Sequence, residues 1–208
     1  MLKKFSPLFL FFVTVLVIAV LTLFGPEEQS LGSNVKIVYL HGAWVLAAEL
    51  AFAAAAFLGL LALILRRERL HEWSAALGRT GIVFWVTYLP LSLWAMQANW
   101  NGLFLAEPRF RIALTFAVVG VLLQVGLWII DNHVLTSIAN IAYIIALRVI
   151  FATAANVMHP PPSPIFNSGL WNIIIFFVML NVFAWLAAYF LTKVFLSLAS
   201  NRSDKSIA

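Results

Sequence analysis

The chain has 208 residues, of which 63% are hydrophobic and only 10% charged, whereas soluble domains carry about 25% charged residues; a soluble globular domain is excluded. There is no cysteine, which removes disulfides, thiol chemistry and thiolate metal sites. The net charge of +5 lies at the flanks of apolar runs, so it gives no indication of a nucleic-acid partner.

A run of about 20 apolar residues can cross a bilayer as a helix, and six such segments are predicted in chain order. The first, about 7–24, follows Lys3 and Lys4. Gly25-Pro26-Glu27-Glu28 comes next in place of a small-x-small cleavage site, so a retained span is expected rather than a removed signal peptide. The second covers about 39–65 and stops at Arg66-Arg67. The third covers about 81–96, the fourth 112–130, the fifth 137–157 and the sixth 170–195, before a polar tail "ASNRSDKSIA". Between the second and third, "RRERLHEWSAALGRTG" has charges spaced to suit a short amphipathic helix on the lipid surface. The expectation is one all-α integral membrane domain over residues 1–208.

Orientation follows from Lys and Arg in the connections. With the N-terminus inside, the inner segments hold Lys3, Lys4, Arg66, Arg67, Arg69, Arg79, Lys193, Arg202 and Lys205, and the outer ones hold Lys36, Arg109 and Arg111. Nine against three predicts both termini in the cytoplasm. The outer face of the cytoplasmic membrane then carries "NVKIVYLHGAW", "NWNGLFLAEPRFRIAL" and "VMHPPPSPIFNSGLW".

Four histidines are present. His71, beside Glu72 in the inner loop, reads as solvated, and His133, in the inner turn "DNHV", as an interfacial residue. His41 opens the second span in "YLHGAW", and His159 closes the fifth in "VMHPPPSP". Both fall at the outer face. One reading makes them ordinary interfacial residues; the other makes them a clamp on a metal, since imidazole suits transition metals and is an axial ligand of haem iron. Gly42 and Ala43 leave space beside His41, and Pro160, Pro161 and Pro162 end the span rigidly beside His159.

Between them lies the outer loop. Trp94, Trp100 and Phe104 suit either an aromatic belt at the interface or a flat apolar platform. Arg109 and Arg111 suit carboxylates, which guanidinium groups grip in a fork. A haem, with its ring, iron and two carboxylates, would use all three features. Inside the spans stand Glu49 and Arg148. At 1.5 Å per residue Glu49 lies roughly 12 Å inward of His41 and Arg148 roughly 16 Å inward of His159. Ionisable residues at matched depth are expected to pair, either as a lock between two spans or with Arg148 turned to a propionate or substrate anion.

The order of an outer histidine at the mouth of a span, a tryptophan-bearing outer loop and a second outer histidine followed by proline resembles the cytochrome c assembly family of haem-handling membrane proteins, most closely its CcmC-like branch. The resemblance covers nearly the whole chain. "KIVYLH" carries His41 in the context of the first family histidine, and "HP" carries His159 in that of the second. Laying Trp100 on the first residue of the family pattern W-G-x-W-W-x-W-D-x-R puts Glu107 on the aspartate and Arg109 on the arginine without a gap. Asn101 stands where the family has glycine, and Leu103, Phe104 and Ala106 stand where it has tryptophan.

The resemblance implies a haem-transfer protein of cytochrome c biogenesis in the cytoplasmic (inner) membrane. It would present haem at the outer face to a membrane haem carrier, alongside subunits of an ABC-type transporter. His41 and His159 would be the axial ligands, Trp94, Trp100 and Phe104 the platform, and Arg109 and Arg111 the propionate partners. Handing over a ligand needs no general acid or base, so no residue is assigned a catalytic role. The alternative keeps the fold without haem, as a membrane subunit or permease component of a transporter complex. A small-molecule transporter with Glu49 and Arg148 in its path is a third reading, against which no paired broken spans are evident.

Overall fold

The computed structural model describes residues 5–158 and 164–207, with side chains of the second stretch through residue 200. Six helices follow one another: α1 (Pro7–Leu23), α2 (Val35–Leu65), α3 (Glu68–Trp100), α4 (Pro108–Ile130), α5 (His133–Ala152) and α6 (Trp171–Ile207). The five from α2 onward are long and apolar enough to cross a membrane, and α1 is a shorter apolar helix of 17 residues.

Local chemistry sets the helix ends. Ser6 caps α1, its hydroxyl accepting from Phe9 N–H at 3.1 Å, with Pro7 in the first turn. Asn132 caps α5 in the same way through Leu135 N–H at 2.9 Å. Such caps satisfy amides that have no partner inside the helix. Arg66, Asn101 and Asp131 close α2, α3 and α4 in the left-handed conformation, with φ of 51°, 54° and 54°.

α2 buries Tyr39, Ala43, Ala47, Ala51, Ala55 and Gly59, a stripe repeating every fourth residue. Small residues at this spacing let another helix approach closely, which is how helices associate in lipid. The principal neighbour is α3, whose own face contributes Ser74, close to Gly59 and Ala55, and Gly81, close to Phe52. α5 and α6 also pack on this α2–α3 pair, and α1 lies chiefly against α6.

Two ends of the bundle result. At one, Asn34 at the start of α2 donates to Ala98 O near the end of α3 at 2.8 Å. At the other, Glu68 at the start of α3 pairs with His133 at the start of α5. The basal half above that second end holds two sets of buried polar contacts. His71 Nδ1 lies 2.7 Å from Ser137 Oγ. Ser74 donates to Ala55 O at 2.8 Å. Asn140 donates to Ser74 O at 2.9 Å and accepts from Gln124 at 2.9 Å.

Several expected boundaries need correction. The third span is not 81–96 with a surface helix before it. α3 is one helix from Glu68 to Trp100, containing Pro90. The charged positions Arg69 and Glu72 are exposed, while His71, Ser74, Ala75 and Gly78 turn inward and are buried. His71 is therefore a buried, hydrogen-bonded residue and not a solvated one, and His133 is the first residue of α5 and not part of a turn. The fifth span stops at Ala152 instead of 157. There Thr153 N–H and its hydroxyl both return to Ile150 O, at 3.1 and 2.7 Å, and Asn156 takes a positive φ of 56°. The second and fourth helices begin a few residues earlier than expected, at Val35 and Pro108, and the sixth runs on through Ile207.

Candidate functional site

A cavity of about 360 Å³ opens at the end of the bundle formed by the α3–α4 connection. α2 supplies His41, Val45 and Glu49, at spacings of four residues that put them on one face. α3 supplies Trp85 and Tyr88. The first turn of α4 supplies Glu107, Arg109 and Phe110, and the last turns of α5 supply Arg148, Phe151 and Ala152.

The walls are fixed by ring packing. Trp85 is almost fully buried and donates its indole N–H to Ala113 O at 3.0 Å. Its ring meets Tyr88 edge-on at 4.9 Å between centroids and Phe151 at 5.8 Å. Tyr88 in turn lies 5.6 Å from the His41 ring. The histidine is thus held at the rim by an aromatic wall that spans α2, α3 and α5.

The charged groups have distinct environments. Arg148 Nη1 donates to both oxygens of Glu49, at 3.1 and 3.2 Å, so this couple is internally neutralised. Glu107 is only 4% exposed. Its Oε2 accepts from Phe110 N–H at 2.6 Å and caps α4. Its Oε1 is buried and has no hydrogen-bond partner among the described residues. Arg109, two positions on, is half-buried, lines the cavity and forms no ion pair among the described residues.

Of the residues expected to form a ligand site, the structure brings His41 and Arg109 to one cavity, together with the Glu49–Arg148 couple. Trp94, Trp100, Phe104 and Arg111 do not line it. Trp94 is 61% exposed on the flank of α3. Trp100, the last residue of α3, and Phe104 in the connection pack edge-on against each other at 5.8 Å. Arg111 is exposed. His159 lies outside the described residues.

Tyr88, Trp85 and Glu107, with Val45, Phe110, Phe151 and Ala152, are the lining residues that the sequence did not assign to the site. A usable signal existed for Glu107: an acid directly before a proline marks a helix start, where the carboxylate turns back to cap the first turn. Tyr88 and Trp85 carry no such mark, because an aromatic pair three residues apart in an apolar run reads as core. Among the described residues no group of three or more His, Cys, Asp or Glu side chains is placed to hold a metal ion. Comparison of the chain with protein-family models, with curated proteins and with solved structures finds no match.

Proposed function

We propose that this is a haem-binding, haem-transfer protein of cytochrome c biogenesis in the cytoplasmic membrane, with both termini in the cytoplasm and the cavity on the outer face. The observation that carries the reading is the convergence of His41, Arg109 and the ring wall of Trp85, Tyr88, Phe110 and Phe151 on one cavity. An imidazole suits iron, a guanidinium suits a propionate, and flat rings suit a macrocycle. The cavity volume falls within the range of about 300–1,000 Å³ usual for small-molecule sites. These residues fit haem as cargo. His41 would take the iron and Arg109 a propionate, with His159 the second ligand carried on the chain leaving α5.

The orientation is supported by how the basic residues divide. Arg66, Arg67, Arg69, Arg79 and Lys193 belong to the basal half, and Lys36, Arg109 and Arg111 to the cavity end. The excess marks the cytoplasmic side. Reporter fusions at the α3–α4 connection and at the C-terminus test this, and an inverted result overturns it.

Purification from haem-replete cells followed by an optical spectrum tests the function. A Soret band that is lost in the His41→Ala, His159→Ala double variant supports it. A haem-free protein whose deletion leaves cytochrome c assembly unchanged moves the assignment to the second reading, a haem-free subunit or permease component of a transporter complex. One observation favours that second reading: Trp94, Trp100 and Phe104, which the family pattern makes the haem platform, stand away from the cavity.

A further inference from the structure

Haem presents two carboxylates, which only accept hydrogen bonds when ionised. It leaves one feature of the cavity without a counterpart. Glu107 Oε1 is a buried acceptor with no donor among the described residues, and leaving such a group unmet costs more than an average hydrogen bond contributes. Beside it, Arg109 presents a guanidinium fork with no acid paired to it among the described residues. Glu49 and Arg148 cancel each other. The four charged lining groups, Glu49, Glu107, Arg109 and Arg148, therefore sum to zero, with one buried acceptor and one guanidinium unmatched among the described residues. That pattern is the complement of a zwitterion.

Position narrows the source. Glu107 and Arg109 belong to the first turn of α4, and Phe151 and Ala152 to the last turn of α5, so this part of the cavity lies at the ends of the helices. Helix ends reach the headgroup level of a bilayer, where tryptophans such as Trp94 and Trp100 also gather. On α5, Arg148 and Ala152 line the cavity and are exposed on the same flank as Ile145 and Val149. The cavity is thus open on an apolar flank that lies against lipid.

We propose that the cavity binds a primary ammonium adjacent to a phosphate, as in the headgroup of an aminophospholipid. The phosphate pairs with Arg109 and the ammonium donates to Glu107 Oε1, while the acyl chains lie along the exposed flank of α5. A free aminoalkyl phosphate presents the same two groups.

The test is native mass spectrometry of the delipidated full chain, offered phosphatidylethanolamine, phosphatidylglycerol and phosphatidylcholine separately. Phosphatidylethanolamine alone is retained as a single tight adduct. Phosphatidylglycerol has no ammonium, and phosphatidylcholine carries methyl groups in place of N–H donors. Glu107→Gln keeps an oxygen to cap α4 and removes the charge; it and Arg109→Gln each weaken retention by about tenfold or more, the scale of one charge-assisted hydrogen bond. Competition by O-phosphoethanolamine assigns the site to the free headgroup, and failure to compete assigns it to the lipid. Equal retention of the three lipids, or retention unchanged in both variants, overturns the proposal. If Glu107→Gln fails to fold, the lipid series and Arg109→Gln still decide. The inference does not depend on haem: a haem-free protein that retains the lipid through Glu107 removes the haem reading and leaves this one standing.

Discussion

Arg148 on α5 and Glu49 on α2, 99 positions apart in the sequence, meet through a single guanidinium nitrogen that bridges both carboxylate oxygens. The couple ties the floor of the cavity across two helices. An ionised side chain left alone costs at most about 2.5–3.5 kcal/mol, the mid-membrane figure, and less near a helix end. Glu49→Leu or Arg148→Leu alone should therefore lower the thermal midpoint in detergent by several degrees. The double variant, with neither charge, should recover most of the loss. Losses that simply add would show that the two groups are not energetically coupled.

The site residues separate into two groups that a haem titration can tell apart. Arg109 lines the cavity and Trp94 does not. Arg109→Gln should weaken the Soret signal, and Trp94→Ala should leave it intact. The reverse pattern would put haem on the α3–α4 connection instead of between the helices.

His71 was expected to be solvated, and its burial beside Ser137 gives it a different role. His71→Ala should leave the spectrum unchanged and lower stability by about 1–3 kcal/mol, because Ser137 loses a buried partner. His133, paired with Glu68 at the bundle edge and partly exposed, should cost about 1 kcal/mol or less. Equal effects of the two substitutions on thermal melting would contradict the buried contact.

Gly78 faces Asn140 so closely that an added Cβ would stand 2.6 Å from its Oδ1. Asn140 has little freedom to yield, because it is hydrogen-bonded to Ser74 and Gln124. Gly78→Ala should destabilise the chain by about 1–3 kcal/mol through overpacking. Gly126, with open space around its Cβ position, provides the control. Gly126→Ala should be neutral or slightly stabilising in the same melt, since alanine favours the helix.

In the α1–α2 connection, Glu28 accepts from the Ser30 hydroxyl and from the N–H groups of Ser30 and Leu31, the latter two at 2.9 and 3.0 Å. The Ser30 hydroxyl, aided by these amides against slight desolvation, holds its carboxyl below the usual carboxylate range. The folded value is depressed, so the ordering it provides is complete above the ordinary carboxylate range. It is lost as pH falls through the lowered value. Backbone NMR of this segment should show the change at acidic pH, and Glu28→Gln should abolish it; an unchanged titration in Glu28→Gln would rule out this carboxylate as the cause.

Much of the bundle was legible in hydropathy, because lipid imposes one simple rule on every span. The meeting of Glu49 with Arg148 was legible as the pairing of two charges within spans, although the depth of Arg148 was reckoned from His159 and the helix ends earlier, at Ala152. The first half of α3 was not. Its buried face uses His71, Ser74 and Gly78, which score as polar or neutral and come between charged residues. Their value lies in small size and hydrogen bonding, which hydropathy does not register. The end of α5 was misplaced for a related reason. Residues 153–157 are apolar enough to continue a helix, but Thr153 turns its hydroxyl back on the preceding turn. The cavity was half legible: charge and imidazole marked His41 and Arg109, while Tyr88 and Trp85 were indistinguishable from core.

The buried polar contacts of Ser74, Asn140 and Gln124, and of His71 with Ser137, lie in the basal half. The cavity half has ring contacts, a partly exposed ion pair and single hydrogen bonds such as Trp85 to Ala113 O, without side-chain-to-side-chain polar clusters of that kind around the cavity among the described residues. Local opening begins where hydrogen bonding and burial are weakest. Amide exchange should therefore run faster at the first turn of α4 and the last turn of α5 than around Asn140. Harsh detergent would disorder the cavity while the basal helices stay intact, so a sample that has lost the site can still look largely helical by circular dichroism.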